Sequence, residues 1–297
     1  MSAPAPARTS ATAAAVAVAL GCAALLALLT AVVVVRNGTP LPGDLAAHNW
    51  SLAHRPPVGL AVARAVTATG TGVLPYAMVL VAGLVAAAGR TAGALPAGGA
   101  EGEAMDGARR TDARDAATGL LPTERVAATR ASGSDVDAHA PRRPVRRVSG
   151  LARGVSGAPV RSALAALAFL LLGQVLRYGL MEAVGRERPP LADWATHASG
   201  YSFPSGHAAT SALVAGILGW ALLRRVRRAA LRRAVCVVLV CWALAVGLSR
   251  VYLGVHWAGD VVAGWLFAAS FIAVAIACTP LLRTSIRLPE VAALRSR

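Results

Sequence analysis

Three short segments carry residue types that could handle a multiply charged oxyanion. Pro204-Ser205-Gly206-His207 stands immediately before an apolar run. That places it at a helix N-terminus, where free backbone N–H groups and the positive dipole end favour an anion. Gly206 lets the backbone approach closely, and the Ser205 hydroxyl adds a donor. In the second segment, Ser249 to Asp260, His256 and Asp260 are spaced i, i+4, so on a helix they share one face. The carboxylate can then hold one imidazole nitrogen as N–H and leave the other as a lone pair, which makes a nucleophile or a base. His207 could serve as the acid for a leaving oxygen. The third segment is Gly185-Arg186-Glu187-Arg188-Pro189-Pro190. Its Arg188, with Arg250 of the second, offers planar forks that match phosphate oxygens.

The composition says what must position these segments. Of 297 residues, 56% are hydrophobic and 15% charged, against about a quarter charged in a soluble domain. All 30 basic residues are Arg, and with 14 acidic ones the net charge is +16. A pI near 11.5 first suggests nucleic acid. The arginines flank long apolar runs instead, so no nucleic-acid partner is expected and the bilayer is. The four Cys lie in apolar runs without Cys-x-x-Cys spacing; they do not make a disulfide scaffold and read as buried small hydrophobes.

A bilayer core of about 30 Å needs roughly 20 apolar residues of helix. Six runs stand out: Ala15 to Val35, Val73 to Ala88, Ser162 to Val184 (interrupted by Gln174, Arg177 and Glu182), His207 to Leu223, Ala234 to Leu248 and Val261 to Leu282. The first has no small-residue cleavage site before Arg36 and reads as an anchor rather than a signal peptide. The expected fold class is all-α, a polytopic membrane protein with six transmembrane helices. Residues 1–89 hold two spans and an outer loop, 90–160 an insertion, 161–282 the remaining four spans with all three segments, and 283–297 a tail. The insertion is rich in Ala, Gly, Arg, Asp, Ser and Pro without sustained apolar periodicity, a composition that stays disordered. Its Arg142, Arg143, Arg146 and Arg147 read as anchoring at the basic side.

Orientation follows from where the arginines collect. Twelve lie between Arg90 and Arg161, six between Arg224 and Arg233, and four after residue 282, whereas the alternate loops are poorer. This predicts both termini in the cytoplasm, in a plasma membrane, with all three segments on the extracytoplasmic face. Ionisable residues at a membrane boundary are costly and usually functional.

Together, and in this order, the segments resemble the signature of the type 2 phosphatidic acid phosphatase (PAP2) superfamily of integral-membrane lipid phosphatases, whose site is similar to that of vanadium-dependent haloperoxidases. That signature reads Lys-x6-Arg-Pro, Pro-Ser-Gly-His and Ser-Arg-x5-His-x3-Asp, and the resemblance covers roughly residues 160 to 282. It implies a PAP2/haloperoxidase-like helical core and a lipid phosphate substrate. It also implies His256 as nucleophile on phosphorus, Asp260 orienting it and His207 as acid. Arg188, Arg250, Ser205 and the Gly206 amide would bind the phosphoryl oxygens, with no metal or other cofactor. One position departs: where the family has Lys, this chain has Met181. Arg177, one turn earlier on the same face, could supply the missing charge. Arg186 is a second candidate.

The Met181 departure leaves a second reading, a non-catalytic phospholipid-binding scaffold. A haloperoxidase is disfavoured because those enzymes are largely soluble. Within the resemblance, the lipid could be undecaprenyl diphosphate, phosphatidylglycerol phosphate or phosphatidic acid. The Lys-free, Ala- and Arg-rich composition of a GC-rich genome favours the first. Trp194 and Trp257 read as interfacial anchors; Tyr252 and Trp257 could instead line a lipid path. His48, His54, His139 and His197 show no partner at useful spacing, though His197, in the third loop, could touch substrate.

Overall fold

The computed structural model describes residues 6–91 and 157–294, with side chains for 10–88 and 157–279. Most of the insertion, with His139 and the four arginines named above, lies outside the described residues. The described chain is all-helical: α1 (Pro6–Val35), α2 (Pro42–Ala53), α3 (Pro57–Ala68), α4 (Val73–Thr91), α5 (Gly157–Val184), a 3-10 turn (Leu191–Asp193), α6 (Gly206–Leu223), α7 (Ala229–Tyr252) and α8 (Ala258–Leu294).

Five helices are long and apolar enough to cross a bilayer, or six when α3 and α4, bent by 46° at their junction, are counted as one broken span. The span count of the sequence reading holds only with this broken pair, and the stretch taken as outer loop one contains α2 and α3. The break has a local cause. The Thr69 and Gly70 amides close the last turn of α3 on Val66 and Thr67, and Gly72 then takes φ +68°, a conformation open to glycine at no steric cost.

The helices pack as a bundle, α1 along α8, α4 against α5 and α6, and α6 against α7 and α8. Its largest buried cluster joins Val79, Leu170, Leu213, Val214, Ile217, Ala221 and Ala268. In lipid, tight helix contact depends on small residues and cross-helix hydrogen bonds. A methyl on Gly83 would run into the Ala163 backbone of α5, and one on Gly264 would come within 2.7 Å of the Ser205 carbonyl oxygen. Gln174, which interrupts the third run, donates to Thr210 Oγ1 at 2.6 Å and ties α5 to α6. Leu20, Leu28, Val175 and Val238 are exposed, as a lipid-facing surface requires. Cys236, Cys241 and Cys278 are exposed too, and Cys22 is half-buried; they sit among these bilayer-facing side chains rather than in the core.

The two ends of the bundle differ. At one end the C-termini of α1, α5 and α7 meet the N-termini of α6 and α8, covered by α2. At the other, Arg225 donates to the Val85 carbonyl and Arg232 to Leu223 O.

Candidate active site

Each site residue is placed by a helix terminus. Ser205 is the N-cap of α6, in extended backbone, and its own N–H donates to Asp260 O at 2.9 Å. The amides of the first turn of α6 therefore have no intrahelical acceptor and face the same space. Asp260 lies in the first turn of α8, where a carboxylate suits the positive helix end, and its Oδ2 accepts the Trp257 N–H at 2.9 Å. Arg250 ends α7. Arg188 follows α5 by four residues.

His256 and Asp260 form the expected pair, Nδ1 to Oδ2 at 3.3 Å, both buried. The opposite ring nitrogen settles the tautomer. His256 Nε2 lies 3.0 Å from Arg188 Nη1; a guanidinium can only donate, so Nε2 carries the lone pair and Nδ1 the proton. Burial, and then the charges of Arg188 and Arg250, hold the His256 pKa well below 6.5. The imidazole is neutral and aimed.

Around it gather like charges. His207 lies within electrostatic reach of Arg250, His256, Arg188 and Arg177. Three buried polar atoms here have no hydrogen-bond partner among the described residues: Ser205 Oγ, Arg177 Nε and Arg250 Nε. Unsatisfied buried donors are costly, and a cationic cluster with orphaned donors is the inverse of a tetrahedral oxyanion. Arg250 Nη1 is braced by Thr67 Oγ1 at 3.1 Å, from the last turn of α3. Arg177 is not a stray packing charge. Its Nη1 contacts Met181 Sδ at 3.4 Å, and its Cζ would be 3.5 Å from a methyl on Gly206. The guanidinium thus reaches past Met181 to the helix terminus, and Gly206 leaves it room.

Two arginines differ from the sequence reading. Arg188 is oriented chiefly by protein oxygens: Nε donates to Gly200 O, Nη2 to Ser199 O and Tyr201 O, and Nη1 to Val255 O as well as His256 Nε2. Its fork is spent on fixing the loop before α6, and the N–H at His256 is the one a ligand could share. Burial lowers its pKa most, with nearby Asp260 opposing. Arg186, the second candidate for the missing Lys, is not among the orphaned donors and is locked between Asp44 and Asp260 at 2.6 Å each. A buried charge goes where carboxylates can neutralise it.

The lesser residues also move. Trp257 is buried, its Nε1 donating to Glu187 O, so it is not an interfacial anchor. Trp194 donates to Pro189 O, and Tyr252 to His54 O. His48 has a partner after all, Asp193 Oδ2 at 3.0 Å, and His54 Nδ1 meets Trp50 O. Sequence spacing could not find the first of these, since His48 and Asp193 lie on separate elements 145 residues apart. Beside the site, a cavity of about 550 Å³ opens between residues 34–40 and 184–188, with Trp257 in its wall.

Comparisons with known proteins bear on the fold and on the segment that carries these residues. Over 96 residues, 32% of this chain and 45% of the relative, the sequence is 36% identical to phosphatidylglycerophosphatase B of Bacillus subtilis (strain 168). The chain thus spans less than half the length of that relative. The fold matches the crystal structure of a transmembrane PAP2 type phosphatidylglycerolphosphate phosphatase from Bacillus subtilis, with a TM-score of 0.54 over 87% of this chain and 93% of that one. At 19% identity this likeness is one of fold. Residues 162–283, which carry His207, Arg250, His256 and Asp260, match the PAP2 superfamily, and over this segment the chain is similar to that superfamily.

Proposed function

We propose that the protein is a lipid phosphatase acting on a lipid phosphate or diphosphate at the extracytoplasmic face. The observation that carries the reading is the convergence of a neutral, lone-pair-bearing His256 Nε2 with the orphaned donors of Ser205, Arg177 and Arg250. The phosphoryl group would sit against the N-terminus of α6. Arg250, Arg177, the Ser205 hydroxyl and the Gly206 amide would take up charge on its equatorial oxygens. His256 Nε2 would attack phosphorus in line, and the ester oxygen would leave with the bonding pair and a proton from His207. Water would then cleave the phosphohistidine. Asp260 would hold Nδ1–H throughout.

Two observations support the outer face. The site residues gather at the end of the bundle opposite the Arg-rich turn between α6 and α7, and arginine collects on the cytoplasmic side. The position of Arg177 beside Met181 supports catalysis over a scaffold with a degraded site. The named relative favours phosphatidylglycerol phosphate as the first substrate to try, ahead of undecaprenyl diphosphate and phosphatidic acid.

The test is phosphate release by purified protein in detergent across these lipids, with and without vanadate, together with acid-labile phosphate trapped on the enzyme. Release from at least one lipid, and loss of trapping in His256→Ala, is the expected result. A folded wild-type protein silent across the panel, or an active His256→Ala, would refute the reading.

A further inference from the structure

The carboxylate behind His256 is itself held from behind. Asp260 Oδ2 serves His256 and the Trp257 amide, while Oδ1 accepts Arg186 Nη1 at 2.6 Å. The other end of the same guanidinium, Nη2, lies 2.6 Å from Asp44 Oδ2, and Nε donates to Gly38 O at 3.2 Å. Asp44 also grips the backbone next to the site: Oδ1 accepts the Gly259 N–H at 2.7 Å, and Oδ2 the Leu41 N–H at 2.9 Å. The side chains of Arg186 and Asp260 are fully buried, and that of Asp44 is 2% exposed. Asp44 belongs to α2, far outside the matched segment 162–283.

We propose that Asp44 and Arg186 are positioning residues for the nucleophile, forming with Asp260 a buried carboxylate–guanidinium–carboxylate chain whose net negative charge is matched to the phosphorylated imidazole. This rests on the His256 reading above. The charge count gives the reason. With neutral His256, Asp44, Arg186 and Asp260 sum to −1. When the Nε2 lone pair forms the bond to phosphorus and the P–O bond breaks, with its electron pair leaving on oxygen, the ring keeps Nδ1–H and becomes positive. The group then sums to zero. Remove the charge of Asp44 and the same step runs from zero to +1 inside a site already crowded by Arg188, Arg250 and Arg177. In a poorly polarisable interior that difference favours the transition state over the ground state. Asp44 thus acts on the reaction through Arg186 and Asp260 without touching substrate.

The experiment compares full-length Asp44→Asn with wild type in detergent, measuring kcat, KM, and inhibition by orthovanadate and by inorganic phosphate. Vanadate imitates the five-coordinate state bonded to Nε2; phosphate only fills the anion site. The expected result is a fall in kcat of about 30-fold, KM within about twofold, vanadate inhibition weakened by a similar factor to kcat, and phosphate inhibition unchanged. Wild-type kcat in folded Asp44→Asn overturns the proposal, and so does equal weakening of vanadate and phosphate, which is the mark of general damage. If Asp44→Asn does not fold, Asp44→Ser, which removes the same charge and leaves a smaller polar side chain beside the Gly259 and Leu41 N–H groups, is measured in its place. A depressed kcat with selective vanadate loss in that variant supports the charge chain, and near wild-type kcat overturns it. His256→Ala is measured alongside: activity there refutes the phosphohistidine reading, whereas an inactive His256→Ala beside an unaffected Asp44→Asn refutes the charge chain alone.

Discussion

Arginine is the only strong cation in this chain, and the two ends of the bundle use it in opposite ways. At the end between α6 and α7, Arg224, Arg225, Arg227, Arg228, Arg232 and Arg233 follow one another within ten residues. Those with described bonds donate to backbone carbonyls, Leu223 O and Val226 O from Arg232 among them. Such charges sit in water or among head groups, where each is worth little individually. At the other end Arg177, Arg186, Arg188 and Arg250 are withdrawn from solvent to different degrees, and each is fixed by named partners. The contrast teaches that what matters is what surrounds the guanidinium. Arg186 is neutralised by two carboxylates, Arg188 is tied up by backbone carbonyls, and Arg177 and Arg250 keep orphaned N–H groups.

The comparison breaks most visibly at His256, the proposed nucleophile. His256→Ala is expected to lower phosphate release by at least about a thousandfold, with the protein still folded by size-exclusion profile and melting. Arg250→Ala should cost about a hundredfold in kcat/KM, since it strips a buried donor from the oxyanion site. Arg177→Ala should cost less, about tenfold, and the double variant Arg177→Ala, Met181→Lys should recover most of that loss in the same assay. Failure of Lys to rescue would mean that Arg177 and the family Lys do not share a task.

A pH profile sharpens the picture further. His256 is held neutral by burial and by Arg188 and Arg250, its pKa well below 6.5. The folded state therefore binds fewer protons there than the unfolded chain. Its contribution to stability is present above pH 6.5 and is lost as pH falls below that value. With the ionisations of the substrate and of the proton donor His207 corrected for, the limb of kcat/KM that reports His256 should stay level from pH 7.5 to 6.5 and fall only in more acid solution. A half-loss at pH 6.5 would show an ordinary, solvated imidazole. The smallest effect belongs to the opposite end: Arg228→Gln and Arg233→Gln should each change kcat by less than about twofold and leave melting nearly unmoved.

The site was legible in the sequence to the extent that its residues are near neighbours. His256 with Asp260, and Ser205 with Gly206 and His207, declare themselves by spacing. The departure at Met181 drew attention to Arg177 for the same reason. Apolar run length marked the spans, since the bilayer sets a minimum. What escaped was whatever depends on chain segments far apart. Asp44 meets Arg186 across 142 residues, and nothing in the string of α2 announces it. Arg188 is marked in the sequence by the Pro189 that follows it, but only the partners show that Arg186, two residues earlier, is held by carboxylates and Arg188 by backbone carbonyls. The bend between α3 and α4 hid inside an uncharged stretch, because hydropathy records how apolar a segment is and not where its backbone turns.

Position 264 carries a last consequence. A glycine there lets α8 slide against the α6 cap until the Ser205 carbonyl is in near contact. One added methyl would leave every insertion scale content, yet act as a wedge that tilts the amide cradle off its axis. The lesion would look enzymatic to anyone assaying turnover, although its origin is a matter of two helices no longer being able to lie flush.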